Sequence, residues 1–202
     1  MEMFEQISKL IAALRNVRAL ENSEVVSALR AFSLCLPDPD YRSHLVGELG
    51  VSLASLGRFD QAEELARSIE TTEKSEFLRQ VADVEAHSSE ANRALPLFLE
   101  AREAALLNPF ATQQAQALSE IALSLEATPW RQEAIRTWNL AIDLAKRGQH
   151  REGTDGPEAA GVLLKAVEAL SRAGKKDDAR AVADEIVFEP LRKKAIQAIS
   201  GE

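Results

Sequence analysis

Cysteine is almost missing from this chain: 202 residues carry one, Cys35. A single thiol closes no internal disulfide, and its place in the apolar run AFSLCL reads as a small buried hydrophobe rather than a nucleophile. Histidine is nearly as sparse. His44, His87 and His150 stand far apart and form no ligand pair of the H-E-x-x-H kind, so neither a metal site nor a cofactor is expected. No phosphate-binding glycine loop and no G-x-S-x-G elbow occurs. Acids crowd only as sequence neighbours: Asp38 with Asp40, Glu63 with Glu64, Asp177 with Asp178. Such neighbours point to different helix faces, whereas paired acid/base chemistry needs convergence on one substrate. The expectation is a protein that is not an enzyme.

Long hydrophobic runs are missing too. Nothing approaches the ~18 apolar residues that cross a bilayer, and the opening MEMFEQISKL has acids where a secretory signal carries positive charge. A soluble cytoplasmic protein without a membrane partner is expected. Basic charge falls short as well, with 24 Lys and Arg against 32 Asp and Glu and a formal net charge of -8. That surface repels phosphate backbones unless a local basic patch forms. The most basic stretches, AKRGQHR at 145–151 and LRKK at 191–194, are short, have acids close by and read as solvated helix ends. No nucleic-acid partner follows.

What the chain does contain is helix-forming residues. Nine Gly, seven Pro and 5% aromatics accompany an abundance of Ala, Leu, Glu, Arg and Gln, within a hydrophobic content of 46%. These residues form helix at least cost, so the class is all-α. In LGVSLASLGRFDQAEELARSI, Val46, Leu49, Leu53 and Leu56 recur at three- and four-residue steps, the stripe of a helix beginning near Arg42. Gly57 ends that helix, Asp60 is a suitable cap for the next, and Ala62, Leu65, Ala66 and Ile69 form a second stripe. The unit is an antiparallel helix pair. Its small residues Gly50 and Ala62 are expected where the two helices cross closely.

The unit returns as Leu163, Ala166, Val167, Leu170, Gly174, Ala179, Ala183 and Ile186, each 117 positions on. Looser copies lie between. Leu78, Val81, Ala82, Ala94, Phe98 and Ala101 are offset by 32, and Leu118, Ile121, Ala122, Leu125, Ala134, Trp138 and Ala141 by 72. Ser89 and Pro129 replace the turn glycine in those copies, the first as a cap and the second as a first-turn residue. Phe98 and Trp138 fall at a core place, and Trp130 is the aromatic most open to solvent.

The expected organisation is one array over 1–202, about five pairs and a cap. A degenerate pair fills 1–36, with Ile7, Leu10, Ile11 and Leu14 on its first helix and Val25, Leu29 and Phe32 on its second. PDPDYR then breaks the chain, because two prolines so close cannot lie inside a regular helix. Repeats follow at 42–74, 75–110, 111–145 and 158–189. The polar, glycine-containing stretch 146–157 reads as a mobile loop, and LRKKAIQAI within 190–200 as a helix covering the last pair.

These residues resemble the tetratricopeptide repeat, a helix-turn-helix unit of about 34 residues with the pattern W-x2-L-G-x2-Y, then A-x3-F, then P. Val46, Leu49, Gly50 and Leu53 stand at the W, L, G and Y places, and Ala62 and Ala66 at the A and F places; Gly57 and Phe59 match the usual turn. The aromatics of the pattern are absent, and Lys74 stands where proline is common. The resemblance extends over about 160 residues, from 42 to the end of the sequence, and it implies an α-α superhelix, or solenoid. In that family first helices line a concave groove, and most members act as binding scaffolds. Physics agrees in part: a lone pair cannot bury its stripe, so pairs must stack.

First-helix residues pointing away from both partner helix and neighbouring repeat are the groove candidates: His44, Glu48 and Val51, with Gly47 and Ser55 beside them; Glu76, Arg79, Asp83 and His87; Gln116, Ser119, Leu123 and Glu126; Leu164, Lys165, Glu168 and Arg172. Gly47, Val51, Gln80, Gln116 and Glu120 stand where carboxylate-clamping members of the family have lysines and asparagines, so that mode is not expected. Arg79, Lys165 and Arg172 suit an acidic peptide, or equally ordinary surface pairs with Asp83, Glu168 and their neighbours. The function expected is a non-catalytic scaffold for a peptide, helix or protein domain. Self-association into a homodimer through the terminal helices is the first alternative, and an RNA-binding helical repeat the second, opposed by the acidic charge.

Overall fold

The computed structural model describes residues 22–150 and 155–200, together with Lys9 and Leu20. The first helix of the amino-terminal pair lies outside the described residues. Among the described residues there are ten α-helices and no strand: α1 (Ser23–Leu34), α2 (Pro39–Ser55), α3 (Phe59–Arg67), α4 (Lys74–Ala86), α5 (Ala94–Leu106), α6 (Ala111–Glu126), α7 (Arg131–Gly148), α8 (Asp155–Arg172), α9 (Lys176–Asp184) and α10 (Glu189–Ser200). A single 3-10 turn, Ala91–Arg93, precedes α5. The fold is all-α, of stacked helix pairs in the α-solenoid class. Where the spacing suggests one array, the chain divides into two compact units, Met1–Ala104 and Ala105–Glu202.

Two turns repeat as the spacing predicts. Gly57 has φ +76° and Gly174 φ +75°, the left-handed conformation that glycine adopts without steric cost. At the first, the Arg58 N–H donates to Leu53 O at 3.0 Å and the Gly57 N–H to Ala54 O at 2.9 Å; at the second, Lys175 reaches Leu170 O at 2.9 Å and Gly174 reaches Ser171 O at 3.0 Å. Both are the same Schellman closure, which satisfies carbonyls a helix end would leave bare. Gly50 sits at the crossing of α2 and α3: a Cβ there would stand 3.3 Å from Ala62 O. The helices approach too closely for a larger side chain.

The other two turns are carried one residue earlier than the template places them. The Ser88 hydroxyl donates to Glu85 O at 2.7 Å and accepts the Glu90 N–H at 3.0 Å. Thr128 does the same with Leu125 O at 2.7 Å and the Trp130 N–H at 3.2 Å. Ser89 is an exposed neighbour, and Pro129 precedes Trp130, the N-cap of α7, instead of entering the helix. A hydroxyl that both donates and accepts replaces the glycine.

Further corrections concern helix ends. α2 begins at Pro39, because proline is tolerated at a first helical position; Asp38 caps it, accepting the Asp40 N–H at 2.8 Å. Asp60 is inside α3 and caps nothing, the N-cap being Arg58 without a side-chain bond. Cys35 is exposed, since it is the C-cap of α1 while Ser33 and Leu36 beside it turn inward. On α1 the inward residues are Val26 and Ser33; Val25 and Leu29 are half-buried and Phe32 is 50% exposed. Helix occupies both ends of the stretch read as a loop, with α7 reaching Gly148 and α8 starting at Asp155; residues 151–154 lie outside the described residues.

The core follows the stripes. Leu49, Leu53, Ala62 and Ala66 in the first clear pair, and Leu163, Ala166, Ala179 and Ala183 in the last, are at most 1% exposed. Phe98 and Trp138 are buried as their template place requires, and Trp130 is half-buried. Burial of one such large side chain stabilises by roughly 1.5–3 kcal/mol. In unit 2, α10 packs on the last pair: Ala195 is fully buried, and the Ser171 hydroxyl donates to Ala198 O at 3.1 Å.

Candidate functional site

The groove candidates occupy first helices, and within each unit those helices lie side by side: α2 packs on α4, and α6 on α8. On α2, His44 is half-buried between Glu48 and Glu73, each 3.9 Å away, with its ring edge-on to Phe77. Burial lowers its pKa, and the Glu48 charge opposes that shift only in part. Burial, with Asp40 repulsion added, raises the Glu73 carboxyl. Val51 is half-buried and Ser55 exposed. Gly47 is not a groove residue, because a Cβ there would stand 2.3 Å from the Phe77 ring; its missing side chain is the seat for α4.

On α4, Arg79 holds Glu76 at 2.6 Å and Asp83 at 2.5 Å. Burial pushes the Glu76 carboxyl up, but bonds from Arg79 and Gln80 outweigh it and leave it low. The His87 Nδ1 meets Asp83 O at 2.7 Å. In unit 2, Leu123 is half-buried on α6 and Ser119 is fully buried, its hydroxyl turned back to Gln116 O at 2.7 Å. On α8, Lys165 pairs with Glu120 at 2.6 Å and Arg172 with Glu126 at 3.2 Å, across to α6 rather than along their own helix. Glu168 is exposed. The candidates therefore gather into two faces, His44 to His87 in unit 1 and Leu123 to Arg172 in unit 2. Cations on both are already paired with acids.

Two features were not legible in the sequence, and both concern second helices. In unit 1, α3 and α5 are joined by charge. Arg93 bonds Asp60, Glu63 at 2.5 Å and Glu90 at 3.3 Å. Arg67 bonds Glu63 at 2.8 Å and takes Glu100 in a two-point contact at 2.8 and 2.9 Å. Behind them Glu85 is fully buried. Both its carboxyl oxygens lack a hydrogen bond, because the side chain they meet, Glu63, is also an acid. Burial raises the Glu85 pKa to about 7, the Glu63 charge adds to this, and Arg93 and Arg67 oppose it. A proton on Glu85 supplies the donor that the pair needs.

In unit 2, the same offsets put Gln132, Ile135 and Asn139 of α7 where α3 has Asp60, Glu63 and Arg67, and Asp178 of α9 where the 3-10 turn before α5 has Arg93. The two arginine stitches are gone, while Glu185, which holds the place of Glu100, is paired with Lys146 at the far end of α7 instead. A cleft of about 800 Å³ lies between α7 and α9, walled by Ile135, Trp138, Ile142 and Val182, with Ala169 and Leu170 of α8 and Ala173 just past its end as its floor. Its ends are framed by fixed bonds. At one, Trp138 Nε1 donates to Glu126 at 2.7 Å. At the other, Lys146 bonds Glu185 at 2.8 Å, and Gln149 donates to Glu185 O at 2.8 Å while accepting the Val187 N–H at 3.1 Å. Gln149 reads as part of a polar loop in the sequence; in the fold it is a buried clamp.

Among the described residues no three His, Cys, Asp or Glu side chains cluster to hold a metal ion. Among the described residues, no helix is long and apolar enough to cross a membrane. Residues 44–68, the first clear helix pair, match the tetratricopeptide repeat family model. Among solved structures, the chain is similar to the crystal structure of Ton1535 from Thermococcus onnurineus NA1, with a TM-score of 0.56 and 16% identity. That match covers 99% of this chain and 58% of the other, so the chain spans little more than half the length of that structure. At such identity the likeness concerns the fold. No curated protein matches the chain in sequence. The family match on its clearest pair, the paired Schellman turns and the stacked helices make the chain an all-α helical-repeat protein with one tetratricopeptide repeat matched at residues 44–68.

Proposed function

We propose that the protein is a non-catalytic scaffold that binds a peptide, helix or domain of another protein through the first-helix faces. Tetratricopeptide repeats commonly mediate protein interactions and are generally non-catalytic. The observation that carries the reading is the division of labour within each pair. Leu49, Leu53 and Ala62 are spent on packing, while His44, Glu48 and Val51 on one helix, and Arg79, Asp83 and His87 on the next, share a face that the stack leaves partly open. In unit 2, Leu123, Lys165, Glu168 and Arg172 do the same. Affinity capture from the native cell with cross-linking tests this: a specific partner cross-linked to these helices is expected, and recovery of no protein above background overturns it.

Self-association is the second reading. Val187 and Phe188, just before α10, are 61% and 43% exposed, an apolar step beside the terminal helix. Sedimentation at several concentrations decides it, and a monomer throughout removes it.

A further inference from the structure

We propose that the cleft between α7 and α9 is a docking groove for a peptide segment of a partner protein, apolar along the side that enters and acidic at the end lying over Arg131 and Lys175. The inference rests on the scaffold reading and adds to its first-helix faces a second docking face with a stated partner chemistry. The face is formed by second helices, not by the first-helix candidates.

The shape suits a segment of chain. Residues 131 to 146 of α7 line the cleft, which at 1.5 Å per helical residue makes a trench on the order of 20 Å long. That length takes about three to four turns of helix or about six extended residues. The trench is also preformed. The Trp138–Glu126 bond at one end and the Lys146 and Gln149 bonds at the other fix its walls before anything binds, which reduces the ordering cost of association.

Its chemistry is unspent. In unit 1 the matching positions satisfy one another as ion pairs; here Ile135 and Leu170 are only half-buried, on a wall that no second helix covers. Arg131 and Lys175 are exposed at the turn end of the trench, and neither makes an ion pair among the described residues. α7 and α9 both start at that end without a side-chain cap bond, so free first-turn N–H groups add positive potential there. Arg172 beside them is neutralised by Glu126. Asp178 lines that end, and Glu133 and Asp177 stand in the same first turns, with Glu133 spent on Arg136 and Asp177 outside the lining; Asp143 lies farther along α7, so the lining leans positive at the Arg131 and Lys175 end and negative beyond it, which disfavours a polyphosphate and orients a peptide with its acid toward Arg131.

The test is selection of a phage-displayed library of random 12-residue peptides on the full chain, with synthetic copies of the winners measured by fluorescence anisotropy. Peptides with apolar residues at helical or alternate spacing and an acid at one end are expected. Their affinity should fall at least tenfold in Ile135→Arg and in Asn139→Trp, the second filling the trench from an exposed position without adding charge. In the double variant Arg131→Glu, Lys175→Glu the preference should turn toward peptides with a basic end. Gln61→Arg, at an exposed place on α3 outside both the cleft and the first-helix faces, should leave binding unchanged. Binding lost in Leu123→Arg or Val51→Glu but kept in Ile135→Arg would overturn the cleft and leave the scaffold standing. Indifference to the Arg131 and Lys175 reversal, or no Ile135-dependent winner, also overturns it. A dimer in sedimentation that Ile135→Arg dissociates would assign the trench to a second copy instead.

Discussion

The junction of α3 with α5 in unit 1 and that of α7 with α9 in unit 2 are built from the same template places and solve one problem in opposite ways. The problem is the space left between the second helices of adjacent pairs. In unit 1 Arg67 and Arg93 fill it with carboxylates from Asp60 to Glu100. In unit 2 Ile135 and Asn139 leave it open over an apolar floor. The difference teaches that a repeat can change an outer junction without touching the stripe that folds it, since Ala62, Ala94, Ala134 and Ala179 are buried alike. A closed junction favours stability. An open one leaves apolar surface half-buried.

The largest expected effect is in side-chain truncation. Phe98→Ala empties a fully buried place on the closed side and should cost about 3–5 kcal/mol. Ile135→Ala on the open side removes a half-buried side chain and should cost under ~1 kcal/mol. Chemical denaturation with hydrogen exchange, which assigns the loss to a unit, checks both. Equal losses would mean that the trench is packed in solution.

Next comes pH. Glu85 has a folded pKa raised to about 7 from 4.5, so its contribution is fully present below pH ~4.5 and lost as pH rises through 7. Unit 1 should therefore lose about 3 kcal/mol between pH 5 and 9, because the folded chain holds this proton more than a hundredfold more tightly than the unfolded one. Unit 2 has no comparable buried acid among the described residues. Glu85→Gln, which keeps the shape without the charge, should flatten the profile and stabilise unit 1 at pH 9. Thermal unfolding across this range is the measurement, and a profile unchanged by Glu85→Gln would show that Glu85 and Glu63 share no proton.

The smallest effect separates the stitch from its counterpart. Arg93→Ala should cost about 1–2 kcal/mol, because it strips Glu63 of one of its two arginines. Asp178→Ala, at the matching place on α9, should stay within about 0.5 kcal/mol. Raising salt should narrow the gap between the two, because these pairs are partly open to solvent.

Much of this architecture was written in spacing. A stripe at three- and four-residue steps and a glycine needing positive φ are local properties, set by helix geometry and by the steric cost of a Cβ, so Gly57 and Gly174 announced the same turn 117 residues apart. The core places of Phe98 and Trp138 followed from the same register. Contacts between helices were different. That Gly47 seats Phe77, that Ser88 and Thr128 close two turns, that Gln149 clamps α7 to the end of α9, and that Glu85 meets Glu63 all depend on where a second element arrives. So does the trench. By itself the sequence determined the helix pairs and the stripe each must bury, because those are governed by neighbours along the chain. Only the tertiary structure decided which outer junction is closed by charge and which stays open, because an Arg or an Ile acquires that role from residues thirty or more positions away.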